Sequence, residues 1–328
     1  MDIIKLMKEK AKKKLNKIAL VEGEDERVIE AASIAVKEKT AKPVLIGDEK
    51  KIKETAKKHN LSLEGIEIMD YKNHKDRDTL ANQLYELRKS KGLTLEEAKK
   101  WLQNPNYFGA QVAKLGMVDG VVGGCKYSTA EFMKPVFQVI GKRKDASLVS
   151  GAFFIVVKDR VLFMADSDFI IVPNEEELAQ IAMNTAAFAK NFGFTPKVAM
   201  LSYSTKGSGE HPSLERIRKA VEVVKEKQPG LIIDGELQFD AAFNPGAARR
   251  KCPDSAIQGD ANVLIFPDIS AANIFVHSLL QLSDIPVYGT FACGLDKVAV
   301  NGGRGYNGRQ IADLIVNCAM QINMERGL

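Results

Sequence analysis

Within eight residues, Ser202-Tyr203-Ser204-Thr205-Lys206-Gly207-Ser208-Gly209 brings together hydroxyl side chains, a lysine and backbone N–H groups beside glycine. That donor set suits an anion, a phosphate above all. The spacing is not GxxxxGK[ST], so the stretch is no Walker loop. The apolar residues 198–201 precede it, with Pro196 upstream, and read as a buried strand; residues 214–224 have helical spacing. A polar loop between strand and helix lies at the carboxyl end of a strand, where α/β proteins bind ligands. A solvated turn is the plainer reading of the same residues.

Three other polar loops are expected after strands: residues 123–129, 235–240 and 301–307. In the last, Arg304 stands between Gly303 and Gly305, where its fork of donors is presented without neighbouring bulk to a phosphate or carboxylate. Several anion-suited loops in one chain point to a phosphate or a phosphorylated cofactor. Gly23-Glu24-Asp25-Glu26-Arg27 opens a helix with acids, which suits the helix dipole and reads as a cap. Asp166 and Asp168 follow an apolar strand, either as ligands or as a strand-end turn. Of the four histidines only His211 lies beside a candidate loop, and none has metal-ligand spacing, so no metal is expected. GxSxG, HExxH and a strand-borne GxGxxG are missing; the last disfavours a nucleotide-binding oxidoreductase.

The elements that must position these loops alternate between strand and helix. Strands are expected over residues 17–23, 43–47, 66–70, 118–122, 198–201, 231–234, 261–266 and 286–291, with helices between them. Thr94 and Glu97 have the spacing of a capping box. Residues 148–157 and 161–165 flank Lys158-Asp159-Arg160 as a hairpin. The pattern predicts an α/β fold built on parallel sheets, with a domain boundary near 142–147. At 328 residues the chain is long enough for two domains. Hydrophobic residues make up 45% and charged residues 27%, ordinary globular proportions. No apolar run reaches the roughly 18 residues of a membrane helix, and the basic N-terminus has no apolar core, so neither a membrane nor a secretory signal is expected. Ile3, Ile4, Leu6, Met7, Ala11 and Leu15 suit an amphipathic first helix. Four scattered cysteines without CxxC fit a reduced cytoplasm. The net charge of +5 favours anionic small molecules; no basic stripe interleaved with aromatics suggests nucleic acid.

At these residues the chain resembles the phosphate acyltransferases, most closely those that use acetyl groups. The resemblance rests on VEGEDERVIEAA (21–32), NYFGAQVAKLGMVDGVVGG (106–124), Ser128-Thr129, AMLSYSTKGSG (199–209), DGELQFDAAF (234–243), CPDSAIQGDANVLIFPD (252–268) and GLDK (294–297). It implies two α/β domains, each with a largely parallel sheet: residues 1–145 with about 296–328, and residues 146–295. It implies an active-site cleft between them and a homodimer. The implied reaction moves an acetyl or other short acyl group between coenzyme A and inorganic phosphate. Coenzyme A is then a substrate, and no tightly bound cofactor is expected.

The implied catalytic residues are Arg304, Lys134 and Asp313. Arg304 matches the family's phosphate-binding arginine; Lys134 stands at the place of another, keeping the charge without the bidentate fork. The implied substrate-binding residues are Arg88, Tyr127, Ser128, Thr129, Ser202, Ser204, Thr205, Lys206, Gly207, Asn301, Gly303 and Gln310. Several depart from the family. Its C-terminal motif reads Asn-Asp-Leu-Ser-Arg-Gly; here Asn301-Gly302-Gly303-Arg304-Gly305 is one residue shorter, with Gly303 where the serine is expected. Gln310 stands where the family has an aspartate held to take the thiol proton, and Asp313, one turn on, replaces it only if the helix is shifted. Tyr127 replaces a usual histidine, and residues 289–294 depart from Gly-Pro-Ile-Leu-Gln-Gly. The changes cluster at the expected site, which leaves two alternatives open: a protein that binds coenzyme A or acyl phosphate without turnover, and an enzyme for another acyl group.

Overall fold

The computed structural model describes residues 3–144, 146–157 and 159–328. The side chains of Ile3 and Ile4, Asp145 at the expected boundary and Lys158 in the expected hairpin turn lie outside the described residues. The chain forms two compact units, one running to Arg143 and resuming over Leu295–Leu328, the other covering Lys144–Gly294.

The first unit holds a five-stranded sheet in the order β11-β4-β1-β2-β3. Its strands are β1 (Lys17–Leu20), β2 (Lys42–Ile46), β3 (Glu67–Met69), β4 (Gly120–Gly123) and β11 (Val298–Asn301), and all pair in parallel. Parallel strands covered on both faces need near-continuous apolar runs, and KIAL, PVLI and GVVG supply them. The chain order reverses between β4 and β1, the place where open α/β sheets bind ligands. Strand β11 was not expected; its three apolar residues, Val298 to Val300, are too few to show a period. Because β11 exists, the Arg304 loop leaves the carboxyl end of a sheet strand.

The Gly308–Glu325 helix crosses this sheet closely. A Cβ on Gly120 would lie 2.7 Å from Cys318 Sγ, so a side chain there would push the helix off. At the far end of that helix the buried Asn323 donates to the carbonyls of Lys10, Ala11 and Lys14 and accepts from Asn16 at 2.8 Å. The C-terminal helix is thereby tied to the N-terminal one, Ile3–Lys12.

The second unit holds a six-stranded sheet ordered β10-β5-β6-β9-β7-β8, from β5 (Ser150–Val157), β6 (Arg160–Ala165), β7 (Lys197–Leu201), β8 (Ile232–Leu237), β9 (Val263–Ile265) and β10 (Val287–Cys293). Strands β6, β9, β7 and β8 are mutually parallel, while β10, β5 and β6 form an antiparallel edge. The hairpin is β5–β6. One expectation is corrected: Gly235-Glu236-Leu237 belongs to β8 and is not loop. Its acidic residues hid the strand, yet Asp234 and Glu236 are both buried. Asp166 accepts the N–H groups of Asp168, Phe169 and Ile170, the strand-end turn.

Candidate active site: two strand-end carboxylates and two exposed cations

In the first unit the site begins at the end of β1. The carboxylate of Glu22 is buried and accepts the backbone N–H groups of Cys125, Lys126 and Tyr127, each at 2.9 Å. The loop after β4 is thus wrapped around an internal anion. Ser128 ends that loop by capping the Thr129–Pro135 helix in a capping box with Glu131. Thr129 Oγ1 accepts from Asn301 Nδ2 at 3.1 Å, joining the start of this helix to the end of β11. Tyr127, half-buried, lines a small cavity of about 50 Å³ with Tyr71, Pro105, Glu22 and Glu24.

Asp25 caps the Glu26–Glu38 helix and holds the Arg27 guanidinium through Nε at 3.0 Å and Nη2 at 2.7 Å. Burial works to raise the Asp25 pKa, but the hydrogen bonds from Arg27 outweigh it and keep the carboxyl below its usual range. Arg27 in turn donates to the carbonyls of Arg304 and Tyr306, both at 2.9 Å, and of Cys125 at 3.1 Å. The Arg304 turn is fastened by its backbone while its side chain is left exposed, with no hydrogen bond or ion pair among the described residues. The charge of Arg304 is felt by Glu131, whose carboxyl sits below its usual range first because Ser128 donates to it and then because of Arg304. Lys134 lies three residues beyond Glu131 on the same helix, hence on the same face, and is also exposed and unpaired among the described residues. Arg304 follows the end of β11, and Lys134 lies on the helix that starts at Thr129, whose Glu131 feels the charge of Arg304.

The remaining sequence candidates in this unit are otherwise committed. A Cβ on Gly303 would lie 2.7 Å from Cε1 of Tyr306, so the tyrosine ring fills the space a serine would use. Gln310 closes a capping box with Asn307, which fixes the register of the Gly308–Glu325 helix. Asp313, half-exposed, pairs at 2.9 Å with Arg309, which also binds Glu38. Arg88, half-buried, donates to the Gln138 carbonyl and lies over the Trp101 ring at 5.9 Å.

In the second unit the Ser202–Gly209 stretch has its anion already. Glu236, 1% exposed, accepts from Gly207 N–H at 2.8 Å, Ser204 Oγ at 3.1 Å, and Arg218 Nε and Nη2 at 2.9 and 3.1 Å. Burial acts to raise its pKa, but the hydrogen bonds from Arg218, Gly207 and Ser204 prevail and bring it to about 2. Lys206 pairs with the buried Asp234 at 2.8 Å. Thr205 accepts from Gln238 N–H, and the Ser202 N–H donates to the Leu237 carbonyl. Of the donors expected to hold a phosphate, Ser204, Lys206 and Gly207 are thus turned to two side-chain carboxylates of β8. His211 is the cap of the Pro212–Lys227 helix. Among the described residues no group of three or more His, Cys, Asp or Glu side chains is placed to hold a metal.

Glu22 was given no role by sequence reasoning, and Arg27 and Glu236 were read only as parts of a helix start and of a polar loop. The signal was present: VEGEDER and DGEL each put an acid directly at the end of an apolar run, where a buried carboxylate must draw donors from a neighbouring loop.

The phosphate acetyl/butaryl transferase family model matches residues 2–319, and the chain belongs to that family of acyltransferases. It is 38% identical over 320 residues to the phosphate acetyltransferase of Bacillus subtilis (strain 168), covering 98% of this chain and 99% of that one. Among solved structures it is similar to a phosphotransacetylase from Streptococcus pyogenes, with TM-score 0.93, 37% identity, and 98% and 99% of the two chains covered. It is also similar to a phosphotransacetylase from Staphylococcus aureus, with TM-score 0.91, 36% identity and 98% of each chain covered.

The Glu236 network gives a pH-dependent prediction. A carboxyl whose folded pKa is depressed stabilises the fold above its unfolded value, near 4.5, and that contribution is lost as pH falls towards about 2. Glu236→Gln at pH 7 is expected to cost about 1–3 kcal/mol by leaving buried donors poorly matched. The loss should appear as a lower urea midpoint, and the gap to the parent should narrow as pH drops from 4.5. Equal midpoints at pH 7 would contradict the assignment.

Proposed function

We propose that this chain transfers an acetyl group between coenzyme A and inorganic phosphate. The observation that carries the reading is Arg304: a guanidinium at a strand end, its backbone clamped and its side chain exposed without a partner among the described residues. Two phosphate charges approaching a thioester carbonyl need such neutralisation, and a planar fork fixes the orientation of the attacking oxygen. The bond from the acetyl carbon to sulfur breaks and one to a phosphate oxygen forms. The proton carried by hydrogen phosphate ends, in net balance, on the coenzyme A sulfur. Gln310 has no carboxylate to act as base, and Asp313 is held by Arg309, so neither is assigned the thiol proton. Asn301, Thr129 and Tyr127 are assigned to the surroundings of the phosphate and thioester. Coenzyme A enters as a substrate and not as a resident group. Four free, buried thiols support a reducing compartment such as the cytoplasm.

A second reading, binding without turnover, is favoured by Tyr306 over Gly303, which leaves no serine hydroxyl beside Arg304. Phosphate-dependent release of thiol from acetyl-CoA separates the two. Transfer predicts release by the parent protein and a fall of about 10²-fold or more in Arg304→Ala. No release by the parent, with coenzyme A still bound, would favour the second reading; unchanged turnover in the variant would remove Arg304 from the mechanism.

A homodimer is also proposed, through the Ile269–Leu282 helix. Of its apolar residues only Ala272 is buried, while Ile274 is 66% and Leu282 85% exposed. Ile171 and Val172, also exposed, adjoin its start through the bond from Ile269 N–H to the Ile171 carbonyl. An apolar patch of this kind is what a self-complementary two-fold contact covers. Light scattering should give twice the chain mass for the parent and a shift towards the monomer for Ile274→Arg; a monomeric parent would contradict the dimer.

A further inference from the structure

We propose that Arg27 is a positioning residue for the transfer reaction, setting the place of the Arg304 guanidinium by holding its backbone. The proposal rests on the reading of Arg304 as the phosphate-binding residue. The geometry is specific. One guanidinium, aligned by Asp25 through two hydrogen bonds, donates to three carbonyls: those of Arg304 and Tyr306 in the loop after β11, and that of Cys125 in the loop after β4. The first two carbonyls bracket the turn in which the Tyr306 N–H donates to the Gly303 carbonyl at 3.0 Å. No regular secondary structure fixes this turn, and its sequence of small residues does not stiffen it. Glycine at 302, 303 and 305 leaves the backbone around Arg304 few steric limits of its own. The clamp supplies what the glycines lack.

The third carbonyl ties Arg304 to the other half of the site. Cys125 is held from both sides, its N–H by Glu22 and its carbonyl by Arg27. The same loop leads into Ser128 and the helix that carries Lys134. One side chain therefore bears on how the Arg304 turn sits against the loop that leads to Lys134. Lysine cannot reproduce the arrangement, because a point donor does not span three carbonyls while paired to a carboxylate. A purely structural arginine would stabilise the unit without bearing on phosphate in particular.

The test is steady-state kinetics of phosphate-dependent thiol release from acetyl-CoA, with melting temperatures, for Arg27→Gln, Arg27→Lys, Arg304→Ala and the double variant Arg27→Gln with Arg304→Ala. Displacement of a bound anion's anchor by about 1 Å costs on the order of 10²-fold in kcat/KM for phosphate. Arg27→Gln should show a loss of that order, with the KM for acetyl-CoA within about threefold of the parent. Arg27→Lys should fall between. The double variant should be no worse than Arg304→Ala alone, because Arg27 acts through Arg304. Should Arg304→Ala lose activity while Arg27→Gln keeps its phosphate KM and kcat, the positioning role is wrong and the function reading stands. A fall in melting temperature with both KM values unchanged would also overturn it. Full activity in Arg304→Ala would instead sink the reading on which the proposal rests.

Discussion

A carboxylate buried at the end of a strand must be given donors, and this requirement shapes both units of the chain. Left bare, such a charge costs several kcal/mol of lost hydration, so a neighbouring loop has to turn its N–H groups inward. Glu22 does this to residues 125–127, and Glu236 does it to residues 204–207 with Arg218 closing the far side. In each case the loop follows one parallel strand and the carboxylate ends or lies within its neighbour, β1 beside β4 and β8 beside β7. The strand pairing and the polar network therefore specify each other.

The consequence for chemistry is a division of labour among groups that look alike in sequence. Lysines, arginines, hydroxyls and glycine-bordered N–H groups all suit a phosphate. Those facing an internal carboxylate are already neutralised and already hydrogen-bonded. Lys206 and Arg218 belong to that class, and Arg27 belongs to it through Asp25. Arg304 and Lys134 do not. Both are exposed, one on a clamped turn and one on a capped helix.

Much of this was legible in the sequence. The apolar runs before residues 123 and 202 gave the strands, and Thr94 with Glu97 gave a capping box that is present. The family motifs pointed to the acyltransferases, to which the chain belongs. What stayed hidden depends on pairing between distant segments. No local pattern shows that Glu236 rather than a ligand fills the 202–209 stretch, or that Asp234 and Glu236 are strand residues. Strand β11 was too short to read, and Tyr306 closing over Gly303 is a contact across a turn whose course the glycines leave open. Departures such as Gln310 looked like lost chemistry; in the structure Gln310 has a structural task, the cap of the last helix.

The most direct measurement is diffraction at the arsenic absorption edge from crystals of the full chain grown with arsenate, a phosphate analogue whose position the anomalous signal reports without ambiguity. The account predicts an arsenic peak within hydrogen-bond reach of the Arg304 guanidinium and none within the Ser204, Lys206 and Gly207 donor set. A peak held by that donor set, with Glu236 displaced, would contradict it.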